Sequence, residues 1–503
     1  MFTYLWYDFE TYGADPKRDR ISQFAGIRTD ENFNILEEYE YFCKLNDDYI
    51  PNPEACLVTG ITPLDANEKG ITEEELSDKL YKIFTTPNTV GVGYNSFKFD
   101  DEILRHLFYR TFRNPYKREW ADGCSRWDFL RGILGFYFQS PESISFPKDS
   151  EGKVSFKLEN LSVANNIIHE NAHDALSDVR ATIAMAKLLR EKDKELYDYI
   201  FNLRQKNEVV KLLNRGKFFY HIDFSYGATN NYSSVLYKID YGFNKDEYIF
   251  LDLNSDLDLL YKEEVEELKK LAYMKKEDLE LIGKTRPGIK TIRANSIPLL
   301  FPCDNLSDLS QAVSKAKYIE TRLRDKLAKY CKFEKSLSNL DIEIDPYNNF
   351  FSYDDEAEFV KMRENPLEFK FGKENLQKIF ERFKAKNYYE KLSEAEKKSW
   401  DMQCYKWLNG FEERENYLTF DSFKEKISEL KITHSENLEK IKILSKLESY
   451  VSELEIKINN IQVKTTGLTL FTLEDKGNPK TKNPKVKKTK EINDSEIKPL
   501  TLF

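Results

Sequence analysis

Residues Thr3–Gly13 read T-Y-L-W-Y-D-F-E-T-Y-G. The aromatic, β-favouring run Thr3–Tyr7 predicts a buried strand, closed at Gly13. Asp8 and Glu10 stand two residues apart at its end. Side chains at i and i+2 of a strand share a face, so both carboxylates project to one side of an apolar strand. Two anions that close repel each other and lose water, a cost that a cation relieves. Oxygen ligands suit a hard divalent ion such as Mg2+ or Mn2+. Taken alone, D-x-E also fits a strand that runs out into a solvated polar loop.

Two other stretches carry groups of the same chemistry. In Val92–Glu102, V-G-Y-N-S-F-K-F-D-D-E, a strand ends near Tyr94. From Asp100 onward, Ile103, Leu104, Leu107 and Phe108 have helical spacing. Asp100 therefore falls near a helix N-terminus, where unpaired amides favour a carboxylate. The third stretch, Asn171–Asp178, N-A-H-D-A-L-S-D, leads into the Ala-rich run V-R-A-T-I-A-M-A-K-L-L, a strong helix. His173 falls at or just before its start and Asp178 on its first turns. Singly, His173 fits a polar residue at a helix end and Asp178 a surface charge. The agreement of all three stretches points to one site.

Asp8, Glu10, Asp100, His173 and Asp178, in this order and setting, resemble the DEDDh class of 3′→5′ exonucleases. The similarity extends to D-F-E-T-Y-G (Asp8–Gly13), Q-F-A-G-I-R-T-D (Gln23–Asp30), L-V-T-G-I-T-P (Leu57–Pro63), G-Y-N-S-F-K-F-D-D-E (Gly93–Glu102), S-R-W-D (Ser125–Asp128) and N-A-H-D-A-L-S-D-V-R-A-T-I-A-M-A-K (Asn171–Lys187). These runs resemble the bacterial exodeoxyribonuclease I family, with a weaker echo at Y-N-N-F-F-S (Tyr347–Ser352). The resemblance covers roughly residues 1–460 and is most specific in the first ~190.

The resemblance implies an α/β RNase H-like exonuclease domain at 1–193, an SH3-like β-rich domain at 194–345 and an α-helical domain at 346–461. It also implies processive 3′→5′ degradation of single-stranded DNA to 5′-mononucleotides, in repair and recombination. The chemistry would use two metal ions, Mg2+ with Mn2+ as a substitute, roughly 4 Å apart. Asp8 would bridge them, Glu10 and Asp178 would complete the nucleophile-side site, and Asp100 would hold the second ion through water. His173, with an ordinary pKa near ~6.5, would take the proton of the attacking water. Tyr12, Trp120, Arg126, Phe156 and Lys157 become candidate substrate contacts, as cations for phosphates and aromatic platforms for bases, with Glu10 and, toward the terminal sugar, Thr11 beside them. Where the family often has Arg, Lys157 offers a point charge rather than a bidentate fork. Each aromatic is also a candidate for core packing. Single-stranded DNA-binding protein is the partner the family implies.

The same carboxylates would serve an RNase T-like exoribonuclease, but those enzymes are near-minimal single domains, and this chain has about 300 further residues. A catalytically inactive DNA-binding module would not need all five active-site residues intact.

The chain as a whole bounds these expectations. Its 503 residues exceed one ordinary core and predict two to four domains. The net charge of −9 is unfavourable for a nucleic-acid enzyme, although binding depends on where Lys and Arg cluster rather than on their sum. No apolar run reaches the length of a membrane span, and no signal-peptide pattern opens the chain. Six scattered cysteines form no zinc spacing or C-x-x-C pair. A cytoplasmic monomer is expected. The pattern of residues 1–193 alternates strands and helices, with strands at Ile21–Thr29, Phe33–Phe42 and Thr89–Tyr94 and a helix at Thr72–Phe84. Strands follow at Phe218–Phe224, Ser234–Tyr241 and Glu247–Leu253, and the apolar steps of Asn437–Ile461 predict a packed bundle helix.

After Gln462 the character changes. Asp475–Lys490 is rich in Lys, Asn, Thr and Pro and predicts a disordered tether, so 462–503 reads as a tail. Two pentapeptides sit in it, Gly467–Phe471 (G-L-T-L-F) and Pro499–Phe503 (P-L-T-L-F). Both resemble the Q-L-[SD]-L-F peptide that binds the DNA sliding clamp, with Gly467 or Pro499 in place of the leading Gln. Leu468, Leu470 and Phe471, with Leu500, Leu502 and Phe503, are the candidate clamp contacts, and two copies would raise avidity.

Overall fold

The computed structural model describes residues 1–169, 174–239, 246–332 and 340–466, with side chains described through 460. The first sheet holds β1 (Thr3–Thr11), β2 (Ile21–Thr29), β3 (Ile35–Phe42), β4 (Thr89–Gly93) and β5 (Ser125–Asp128), in the order β3-β2-β1-β4-β5. β2 and β3 run antiparallel to their neighbours, whereas β4 and β5 are parallel to β1. β1 is thus the central strand, and its alternation feeds two cores. Tyr4 and Trp6 face one side, where Trp127, Phe129 and the helix Ala175–Lys192 close over them. Leu5, Tyr7 and Phe9 face the other, against the helices Glu73–Phe84 and Asp100–Arg110. Burying a large side chain contributes roughly 1.5–3 kcal/mol, so β1 is held from both faces.

Pairing of β1 with β4 ends at Trp6↔Val92, while pairing with β2 continues through Asp8↔Ala25 and Glu10↔Gln23. β1 therefore outruns β4, and its last residues lie beside the place where the chain leaves β4 for the Asp100–Arg110 helix. Gly13 closes the strand because the Asp19 carboxylate packs directly on it; a Cβ there would sit 2.0 Å from Asp19 Oδ2. Two short helices follow, Pro53–Thr59 and Pro63–Lys69, each opened by a side-chain cap (Asn52, Thr62) and a proline.

A second, antiparallel sheet has the order β10-β6-β7-β8-β9, formed by β6 (Phe218–Ile222), β7 (Ser233–Lys238), β8 (Glu247–Asp252), β9 (Ile289–Arg293) and β10 (Leu300–Pro302). The sequence pattern anticipated the first three of these strands. β9 and β10 are short, and β10 ends in Pro302 with Pro298 shortly before it, which argues against a strand until the partner β6 is in place. The helix Lys194–Asn202 belongs by packing with the first sheet, since Tyr197 meets Phe33 and Trp127 and Phe201 meets Tyr4. The packing unit of the first sheet thus includes residues past 193.

The remainder is helical: Tyr353–Glu364, Glu374–Asn387, Glu394–Leu408, Phe420–Thr433 and Leu438–Thr466. The last of these buries Leu444, Leu447, Val451, Leu454 and Ile458 against its neighbours and against Tyr12, Cys56 and Ala66 of the first domain. A stripe that reads as a bundle helix therefore also seats the helical domain on the first domain. No described helix is long and apolar enough to cross a membrane.

Beneath this junction lies a buried charge cluster. Arg110 donates to Glu73 at 2.6 Å, and Lys386 from the helical domain meets Glu343 at 2.7 Å and Asp48 at 3.3 Å. Arg20 lies 3.8 Å from Asp48 and 3.9 Å from Glu73, so the two domains share one ion network. Burial alone would raise the Glu73 carboxyl, but the guanidiniums of Arg110 and Arg20 override it and bring it down to about 2. Glu73 stays ionised in the fold at pH values where an unfolded glutamate takes up a proton. Its stabilisation is complete above about pH 4.5 and is lost as the pH falls toward 2. Lys386→Met leaves Asp48 and Glu343 without their shared cation, and should destabilise the protein by about 3–5 kcal/mol at neutral pH, read as a lowered unfolding temperature. The penalty should shrink progressively as the solution is acidified below pH 4.5.

Candidate active site

Three elements converge at the end of β1. Asp8 and Glu10 continue the face of Tyr4 and Trp6, so they emerge on the side covered by the Ala175–Lys192 helix. That helix is opened by Asp174, whose carboxylate accepts the amide of Ser177 at 3.2 Å, and Asp178 lies on its first turn. One ligand oxygen from each of Asp8, Glu10 and Asp178 lies within 4.8 Å of the others. Burial, then the neighbouring Asp178 charge, raises the Asp8 carboxyl to about 8. Burial and the adjoining Asp8, Asp178 and Asp100 charges push Glu10 to about 10. Three carboxylates so placed are strained as anions and become stable as anions when a cation sits among them. Hard oxygen donors in this number fit a divalent metal ion.

Asp100 opens the Asp100–Arg110 helix and is almost fully buried. Burial and the Asp8 charge hold its carboxyl well above the usual range. Its charge reaches the site, though it does not belong to the close cluster of three. Its neighbour Asp101 meets the opposite environment. Asp101 accepts Arg118 at 2.7 Å, Arg126 at 2.6 Å and the Tyr7 hydroxyl. Against the cost of burial, Arg118, Arg126 and Arg105 hold the Asp101 carboxyl well below the ordinary aspartate range. The D-D pair is thus split into one carboxylate that feels the Asp8 charge and one neutralised by arginines.

Several of the sequence candidates are placed differently from expectation. Tyr12 is wholly buried among Leu45, Tyr49 and the Leu438–Thr466 helix, so its ring offers no face to a base. Beyond Glu10 the register of β1 slips, and Thr11 turns inward with its hydroxyl donating to the Gly13 carbonyl at 2.6 Å. As placed, the Tyr12 ring is closed to a base and the Thr11 hydroxyl proton is spent within the turn. Arg126 is committed to Asp101 and, at 3.1 Å, to Glu119, and stacks over Phe97. Two carboxylates on the site's flank thus hold its guanidinium in place. Phe156 is half-buried, edge-on to Tyr137, Phe224 and Tyr232, and its carbonyl accepts the Tyr94 hydroxyl. Trp120 is exposed at 63 %, and Lys157 is exposed just before the Leu158–Ala164 helix. His173 lies outside the described residues, as do the tail peptides Gly467–Phe471 and Pro499–Phe503.

One residue escaped the sequence reading altogether. His169 is buried, and its Nε2 donates to Asp178 Oδ1 at 2.5 Å. The signal was present as a second histidine four residues before His173, but nothing local marks it as a neighbour of Asp178.

The electrostatics generate a test. Asp8→Asn removes one member of a mutually repelling set and should raise the unfolding temperature of the metal-free protein by a few degrees, about 1 kcal/mol. The same variant should lose the rise in unfolding temperature that millimolar Mg2+ or Mn2+ gives the wild type. Calorimetry in chelator and in metal measures both.

Three sequence-family models match the chain. The Exonuclease family matches residues 5–186, the Exonuclease I SH3-like domain 204–334 and the Exonuclease I C-terminal domain 340–454. Exodeoxyribonuclease I of Haemophilus influenzae is 35% identical over 482 residues, covering 89% of this chain and 98% of the relative. Exodeoxyribonuclease I of Escherichia coli is 32% identical over 477 residues, covering 90% and 98%. The structure of E. coli exonuclease I with a dA16 oligonucleotide superposes with a TM-score of 0.82 at 32% identity, covering 90% of this chain and all of that one. The zinc-bound form of an E. coli ExoI–single-stranded DNA complex gives 0.81 at 31% identity, with 90% and 99% covered. An ExoI/SSB-Ct complex gives 0.80, with the same identity and coverage.

Proposed function

The chain belongs to the exonuclease I family, and we propose that it releases 5′-mononucleotides from the 3′ end of single-stranded DNA at the carboxylate cluster on β1. The observation that carries this reading is the convergence of Asp8, Glu10 and Asp178 within 4.8 Å, backed by Asp100, at the end of the central strand. Divalent ions bound there supply a water made nucleophilic near neutral pH and neutralise charge on the phosphoryl oxygens. Mg2+ is the ion we assign, with Mn2+ as a substitute. Asp8, Glu10 and Asp178 would hold the ion beside the attacking water, and Asp100, with Asp8, the second. Arg118, Arg126 and Arg105 converge on Asp101, the neighbour of Asp100 in the same helix, which leaves them committed there rather than to Asp100. His173, five residues before Asp178, takes the proton of the attacking water. The exposed Trp120 ring offers a stacking face to a base, and Lys157 a charge to a phosphate.

The downstream domain matches favour DNA over the RNA substrate of an RNase T-like enzyme, because a minimal exoribonuclease has no use for them. These domains would enclose the strand and make digestion processive, in repair and recombination. The partnership with single-stranded DNA-binding protein follows from the ExoI/SSB-Ct complex of the relative. Six free cysteines, five of them buried, fit a reducing, cytoplasmic compartment, and a monomer is the assembly we assign. On 3′-labelled oligonucleotides of matched sequence, the wild type should release mononucleotides from DNA in Mg2+, with none in chelator and much less from RNA. Equal cleavage of RNA would overturn the substrate assignment.

The tail reading stands on sequence alone, and we propose it as a tether to the sliding clamp. An apolar Leu-x-Leu-Phe on a polar Lys-rich linker has a use if a partner's pocket receives it. A labelled peptide spanning Ile497–Phe503 should bind the cognate clamp at micromolar concentration, and replacing Leu502 and Phe503 with Ala should abolish binding. No shift with peptide or full-length protein at tens of micromolar removes the assignment.

A further inference from the structure

Asp178 faces a difficulty that its two partners on β1 do not. Asp8 and Glu10 project from a strand buried on both faces, and their backbone cannot yield. Asp178 stands on the first turn of a helix with its side chain 22% exposed, and it faces two carboxylates that repel it. Without an anchor its side chain gains hydration and distance from like charge by rotating out of the cluster. A fixed hydrogen-bond donor on the carboxylate opposes that rotation.

His169 is such a donor. Its side chain is 3% exposed, so burial fixes the ring, and its Nε2–H is spent on Asp178 Oδ1 at 2.5 Å. It stands beyond the C-terminus of the Leu158–Ala164 helix, whose body packs on the Ala175–Lys192 helix, so the two groups are braced by neighbouring elements. Its Nδ1 is buried with no hydrogen-bond partner among the described residues. A bare ring lone pair is a smaller loss than a bare N–H, which places the proton on Nε2, the atom facing the carboxylate.

We propose that His169 is a positioning residue of the catalytic centre: its imidazole holds one oxygen of Asp178 and so keeps the carboxylate turned toward Asp8 and Glu10 to receive the metal ion. The inference rests on the metal-site reading above and assigns the chain's two neighbouring histidines different work. His169 acts on a ligand through a hydrogen bond, whereas His173 acts on the attacking water. Carboxylate ligands of metal ions are themselves commonly hydrogen-bonded, and loss of such a partner typically costs 10–100-fold in metal affinity.

The test is Mn2+ binding to the full-length protein without DNA, followed by electron paramagnetic resonance and calorimetry, for wild type, H169L, H169Q, H173A and D8A. His169→Leu fills the space without a donor and should weaken Mn2+ binding about 10–100-fold. His169→Gln places an amide N–H near the position of Nε2 and should recover most of the affinity. His173→Ala should bind Mn2+ as the wild type does while losing turnover. Wild-type affinity in H169L overturns the proposal, as does an H169Q that is weakened tenfold or more. If H169L does not fold, the H169Q titration decides alone. Failure of the underlying metal-site reading looks different: wild type and D8A would then bind Mn2+ equally or not at all, and the proposal falls with it.

Discussion

Like-charge repulsion at the end of β1 is the constraint on which the rest of the structure depends. Asp8, Glu10 and Asp178 are drawn within 4.8 Å of one another, with Asp100 adding to their charge. No local preference brings such groups together; each is delivered by an element that is stabilised elsewhere. β1 is fixed by aromatic packing on both faces, and the Ala175–Lys192 helix by Ala175, Val179, Met185 and Leu189 on the same core. The Asp100–Arg110 helix is held by Ile103, Leu104, Leu107 and Phe108 on the opposite core. The apolar cores on the two faces of one sheet thereby supply the energy that keeps the carboxylates in place, and a bound cation recovers that energy as affinity.

The site is also defined by what surrounds it. Asp100 and Asp101 are adjacent in sequence and opposite in state, because Arg118, Arg126 and Arg105 converge on one of them only. Of these arginines Arg126 is the candidate phosphate contact named by the sequence, and here it is engaged by Asp101 and Glu119. Two groups of buried ion pairs stand out, the Asp101 network and the junction cluster of Arg20, Asp48, Glu73, Glu343 and Lys386. That second cluster joins the helical domain to the nuclease domain beneath the apolar seam of the last helix.

The sequence by itself determined the elements and the identity of the chemistry. Strand and helix periodicity located β1, β2 and the helices that begin near Asp100 and Asp178, and the side-chain types named an oxygen-rich cation site. Those signals are local, so they survive without knowledge of the partners. Only the tertiary structure decided which candidates face the cleft. Tyr12 lies two residues beyond Glu10, yet a slip in register and the arrival of a helix more than 400 residues later bury it. Arg126 is drawn away by Asp101, and His169 is recruited to Asp178, through contacts that no sequence period encodes. The division follows from range. Periodicity and capping act over a few residues, whereas burial and ion pairing depend on which distant segments arrive, and that is settled only when the chain has folded.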